Sequence, residues 1–193
     1  MIRLSAGAFA CLLFAATGAA TAAGAQLPAC AFRGAPGALA ERPSPLDSVT
    51  WNLGGGHAKL CYGRPTAGGV AKVGGEFPFG APWQMGANEP TTLHLDFPAS
   101  VGSVDLEPGS YSLYVIPERG DWTVVINSNP SRWGLPIDAE VRAADIGSFA
   151  LTPTPITAEV ERLTFTFEAH GPGEGALVYA WERTALAIPL TRR

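Results

Sequence analysis

From residue 49 onward, apolar side chains recur at every second position and glycine or proline interrupts them every few residues. This pattern constrains the chain to short β-strands. Val49, Trp51 and Leu53 share one parity, Gly54-Gly55-Gly56 follow, and Ala58, Leu60 and Tyr62 resume the alternation. Residues two apart on a strand share a face, so this is a hairpin whose glycines supply the positive φ of a tight turn. The same alternation predicts strands at 91–97, 104–106, 111–116, 122–127, 148–151, 162–168, 176–182 and 186–190. Residues 140–147 read as a short helix or a loop. The 23 glycines, the 17 prolines and a charged fraction of only 16% suit turns more than helices. About nine or ten short strands with no helix-length apolar period predict an all-β fold, an antiparallel β-sandwich that is jelly-roll-like or a flattened barrel.

The N-terminus follows a different rule. Met1-Ile2-Arg3 carries one positive charge, residues 4–16 are apolar or small apart from Ser5, and Ala23-Gly24-Ala25 precedes Gln26. That is the layout of a cleavable secretory signal peptide over residues 1–25. Its apolar run is shorter than the roughly 20 residues a bilayer span needs, so no transmembrane segment is expected in the mature form. Residues 26–43, rich in Ala, Pro and Gly, read as a linker or strap, and residues 44–193 as a single β-sandwich domain. Leu27-Pro28-Ala29-Cys30 also resembles the box before a lipid-modified cysteine, which would tether the protein rather than leave it free in the periplasm or medium.

Without residues 1–25 the chain keeps 12 Lys and Arg against 17 Asp and Glu, too acidic to attract nucleic acid or an anionic bilayer. Two cysteines remain, Cys30 and Cys61, and an oxidising compartment allows them to pair. A bridge across that separation would contribute about 3 to 4 kcal/mol in the loop-entropy model. The alternative is a buried free thiol at Cys61 and a mobile Cys30.

No catalytic constellation emerges. The string Gly-x-Ser-x-Gly is absent, and His57, His94 and His170 read as strand or turn histidines. His94 and Asp96 share a face but lack a nameable third metal ligand, so neither metal nor cofactor is expected. The glycine-rich loops lack the lysine-serine or lysine-threonine ending of a phosphate-binding loop and do not precede a helix. What remains is the long segment 63–90 together with the irregular stretch around Trp133. Arg64, Trp83, Asn88, Glu89 and Trp133 are the candidate binding residues, because loop tryptophans beside Asn, Glu and Arg can stack on sugar rings or peptide side chains. The competing reading makes Trp83 and Trp133 anchors and Arg64–Glu89 a structural ion pair. The functional expectation is an exported binding or accessory module for a small molecule, a glycan or an envelope protein. The alternatives are an envelope hydrolase using loop carboxylates such as Glu89, and a purely structural envelope protein.

A series of ordered blocks adds a resemblance. Ser44-Pro45-Leu46-Asp47-Ser48-Val49 leads to Tyr62-Gly63-Arg64-Pro65, then to Pro78-Phe79-Gly80-Ala81-Pro82-Trp83 and Gly86-Ala87-Asn88-Glu89. Pro108-Gly109-Ser110-Tyr111, Trp122-Thr123-Val124-Val125-Ile126-Asn127, Trp133-Gly134 and Trp181-Glu182 follow. In order and spacing these resemble the bacterial family catalogued as domain of unknown function 2911, over residues 44–190. The resemblance implies exported proteins with a β fold and no assigned chemistry. This chain departs from the family pattern at Gly68-Gly69-Val70-Ala71-Lys72 and at Gln84, where relatives usually carry arginine. If those arginines hold an anion in relatives, Lys72 and Arg64 would have to serve here.

Overall fold

The computed structural model describes residues 26–35 and 37–193; the expected signal peptide lies outside the described residues. A single turn of helix, α1 (Ala38–Glu41), precedes the sheets. The strands are β1 (Leu46–Leu53), β2 (Gly56–Gly63), β3 (Thr91–Leu95), β4 (Ala99–Val101) and β5 (Val104–Leu106). They continue with β6 (Gly109–Ile116), β7 (Trp122–Asn127), β8 (Asp145–Leu151), β9 (Thr154–Gly171) and β10 (Glu174–Arg192), with α2 (Ala139–Arg142) ahead of β8. All named pairings are antiparallel, in a six-stranded sheet β1-β2-β3-β6-β7-β8 and a four-stranded sheet β5-β4-β10-β9. The two open sheets form a sandwich rather than a closed barrel.

The period-two residues meet between the sheets. Trp51, Leu60, Leu93, Leu113 and Val124 from the larger sheet pack with Leu163, Phe165, Tyr179, Trp181 and Ile188 from the smaller one in one core cluster. Gly54 and Gly55 form the expected hairpin turn with φ of 56° and 86°, a pair of positive angles that matches the twist of the flanking strands.

The largest departure from the sequence reading is at the C-terminal end. Residues 176–182 and 186–190 lie on one long strand, β10, with register shifts against β9 around Glu182. The cause is a change of parity. Leu177, Tyr179 and Trp181 face the core at odd positions, Leu186, Ile188 and Leu190 at even ones. An unbroken strand cannot do both, so extra residues bulge out, and Glu182 takes a φ of 54°. β4 went unseen in the sequence because Ala99-Ser100-Val101 is too short to show a period; it is defined by pairing with β5 and the end of β10.

The centre of the outer face of the larger sheet is covered as well. Thr92, His94, Ser112 and Asn127 point away from the core by alternation, yet each is buried. Two segments roof them. The strap, residues 26–35 and 37–43, is tied down by the Cys30–Cys61 disulfide (Cα–Cα 5.5 Å) and by a hydrogen bond from Lys59 Nζ to the Pro28 carbonyl. The 128–144 segment docks Ile137 and Val141 against Tyr114 and Val125.

Candidate functional site

The segment between β2 and β3 is pinned along its length. Thr66 bridges to Arg162, and Trp83 exchanges both backbone hydrogen bonds with Val115. The Trp83 indole points inward at 1% exposure and stacks on Phe77 (4.8 Å between centroids) and Trp181 (5.5 Å). It anchors the loop to the core and presents no face to solvent.

Arg64 is likewise committed to the protein. Its guanidinium donates to the Leu163 carbonyl (3.0 Å), Asp47 Oδ2 (3.0 Å) and Thr164 Oγ1 (2.8 Å), joining the start of β1 to β9. Lys72 pairs with Glu76 at 2.5 Å, so neither cation is left open in place of the arginines that relatives carry.

Glu89 does not pair with Arg64. Its carboxylate accepts from Arg42 Nη1 and Nη2 (3.2 and 2.6 Å) and from the Arg33 N–H (2.9 Å), both on the strap. Burial by itself pushes the Glu89 carboxyl up, but the Arg42 hydrogen bonds and the backbone donors outweigh it and hold its pKa below the ordinary 4.5. The group is ionised and saturated with donors, a poor starting point for a general acid. Residues 26–43 thus supply both of its partners, which a reading of that segment as a featureless linker could not anticipate.

Asn88 has φ of 66°, unusual for a residue with a Cβ, and its Nδ2 reaches the Ser44 carbonyl at 3.4 Å. Its own carbonyl accepts the Gly134 N–H at 2.7 Å. That bond brings the 84–89 turn against the Trp133 segment. Glycine is required at Gly63, where a Cβ would lie 2.1 Å from the Ala87 carbonyl oxygen, and at Gly134 a Cβ would lie 1.5 Å from Gln84 Oε1, so the Gln84 side chain would have to shift. The Tyr62-Gly63 and Trp133-Gly134 blocks thus contact the same 84–89 turn at different residues.

Two of the candidate residues are exposed, Asn88 and Trp133, and Trp133, at 52% exposure, is the aromatic one. It lines a cleft of about 300 Å³ with Asn129, Arg132, Leu135, Pro136, Asp138, Glu140 and Val141. Beneath it Arg132 is buried; Nη1 donates to the Trp133 and Gly134 carbonyls (2.9 Å each) and Nη2 approaches Ser112 Oγ at 3.4 Å. Asp138 caps α2 through Oδ1, which accepts the Val141 N–H at 3.0 Å. The lining residues other than Trp133 escaped the sequence reading. Asn129 and Arg132 flank an exposed tryptophan in an aperiodic stretch, and that was the one available signal.

Two of the three histidines are occupied elsewhere, and His170 is exposed near the end of β9. His57 Nδ1 lies 2.8 Å from Asp96 Oδ2, and His94 Nδ1 lies 2.7 Å from Ser110 Oγ beneath the strap. His94 and Asp96 therefore serve different partners. Among the described residues, no three His, Cys, Asp or Glu side chains gather as a metal site, and no helix is long and apolar enough to cross a membrane. A separate open cavity of about 640 Å³ adjoins Gln26 and Leu27, the first described residues, and is lined by Trp51, His57 and Lys59.

Two facing antiparallel sheets, a disulfide-held strap and a solvent-facing aromatic cleft define a strapped β-sandwich domain. The chain belongs to the family described as "Protein of unknown function (DUF2911)", whose model matches residues 44–190. No curated protein and no solved structure matches it.

Proposed function

We propose that this chain is an exported binding or accessory module whose ligand docks in the Trp133 cleft. One observation carries the reading. Of the five tryptophans, Trp51, Trp83, Trp122 and Trp181 are buried, whereas Trp133 leaves half its surface in water beside an open cleft. An indole held at the surface by a fixed loop, with polar groups around it, is a common form of recognition surface. The Cys30–Cys61 bridge agrees with work outside the reducing cytoplasm. The original candidate set is thereby divided: Asn88 and Glu89 support the loop, Arg64 and Trp83 hold the framework, and Trp133 meets the ligand. The hydrolase reading loses its leading acid, because Glu89 is spent on the strap.

A screen of small molecules, soluble glycans and peptides, followed by tryptophan emission, tests this. The expected result is a ligand that shifts emission and protects against acrylamide quenching, with its binding, followed by calorimetry, lost in Trp133→Ala at unchanged melting temperature. A ligand whose effects persist in that variant would remove the cleft from the function.

A further inference from the structure

Resting on the reading that the Trp133 cleft is the binding site, we infer that its ligand is a neutral saccharide, one ring of which stacks on the Trp133 indole. The argument is the chemistry of the lining. The cleft carries hydrogen-bonding groups of both kinds around one aromatic face. Asn129 Oδ1 is used by the Ser131 N–H, leaving its Nδ2 as a donor. Asp138 Oδ1 is used by the α2 cap, leaving Oδ2 as an acceptor, and the exposed Glu140 carboxylate has no hydrogen-bond partner among the described residues. Leu135, 45% exposed, extends the apolar surface next to the indole.

Charge selects among ligand classes. An anionic ligand would meet the Asp138 and Glu140 carboxylates, while the one cation in the lining, Arg132, is buried and turned to the backbone carbonyls of its own loop. A cationic ligand would gain those carboxylates but offers no acceptor to the Asn129 Nδ2 donor. A sugar ring meets groups of both kinds. Its hydroxyls donate to carboxylates and accept from an amide, and its axial C–H faces lie against an indole. A volume of about 300 Å³ is at the small end of ligand sites. It suits one ring, with the rest of a chain running out over the rim, so binding should be weak per site, with Kd of roughly 0.1 to 1 mM.

The experiment uses the mature protein and a set of defined probes. These are neutral oligomers of glucose and of N-acetylglucosamine, a polyuronate oligomer, a lysine-rich peptide and an apolar aromatic peptide. Affinity is read by isothermal titration calorimetry, and heteronuclear NMR of the Trp133 indole N–H in the unsubstituted protein places the ligand. At least one neutral oligosaccharide should saturate both signals. Trp133→Ala should weaken calorimetric binding about tenfold or more and Trp133→Phe only a fewfold, as stacking on the smaller ring persists. Glu140→Gln should weaken it severalfold without a change in melting temperature. If a charged or apolar peptide saturates the Trp133 signal and every neutral saccharide is silent, the saccharide assignment is overturned and the cleft survives as a site. Silence of all probes at Trp133, combined with a saccharide that binds elsewhere, would overturn the inference and the functional reading together.

Discussion

At the scale of single residues, the most consequential placement is that of a histidine under the strap. His94 is 6% exposed, and burial first, then the Lys59 charge, push its pKa from 6.5 down to about 4. The folded state therefore resists a proton that the unfolded chain accepts. Its contribution is fully present above pH 6.5 and is lost as pH falls toward about 4. On the order of 2 to 3 kcal/mol should disappear across that window. Urea unfolding at pH 7, 6, 5 and 4.5 should show this slope, and His94→Gln should flatten it whatever that variant's stability at pH 7; a parallel slope in the variant would contradict the assignment. Glu89 titrates in a separate window. Its depressed pKa contributes stability above about 4.5 that is lost only at lower pH. Neither effect was legible in the sequence. His94 and Glu89 were visible as residues, but their environment comes from Lys59, Arg33 and Arg42, which alternation and motif spacing do not connect to them.

At the scale of elements, the junction of the 84–89 turn with the Trp133 segment carries the candidate site. Gly134 lies flat against Gln84, which is buried at 3% exposure and flanked by Met85 with φ of 53°. Gly134→Ala must displace the buried Gln84 amide. A loss of about 1 to 3 kcal/mol is expected, together with altered acrylamide quenching of Trp133. Adding Gln84→Ala should recover part of both, and a double-mutant cycle without coupling would show that the contact is not what glycine protects. The sequence blocks Trp133-Gly134 and Gly86-Ala87-Asn88-Glu89 were readable as separate units. Their union rests on a single backbone hydrogen bond, Gly134 N–H to the Asn88 carbonyl, between residues far apart in the chain.

At the scale of the whole molecule, the strap and the 128–144 segment cover the centre of the larger sheet's outer face, while Ser48, Thr50 and Asn52 on β1 and Ser148 and Ala150 on β8 stay exposed. The disulfide spans 31 residues and ties the strap to β2. Its reduction should cost about 3 to 4 kcal/mol and lower the melting temperature by roughly 6 to 15 °C. Cys30→Ser should reproduce the loss in the absence of reductant, and melting curves unmoved by dithiothreitol would show that the bridge adds nothing. What the sequence by itself determined is the all-β content, the glycine hairpin and the face that the alternating strands turn inward. These follow from local chemistry, because φ preferences and period-two burial are properties of neighbouring residues. Tertiary structure alone decided which carboxylate meets which arginine, that Trp83 turns into the core while Trp133 stays in water, and that a linker-like segment roofs a polar sheet face. Those outcomes depend on the register of distant strands and on the docking of aperiodic segments. There the deciding energies are long-range contacts, and no local pattern encodes them.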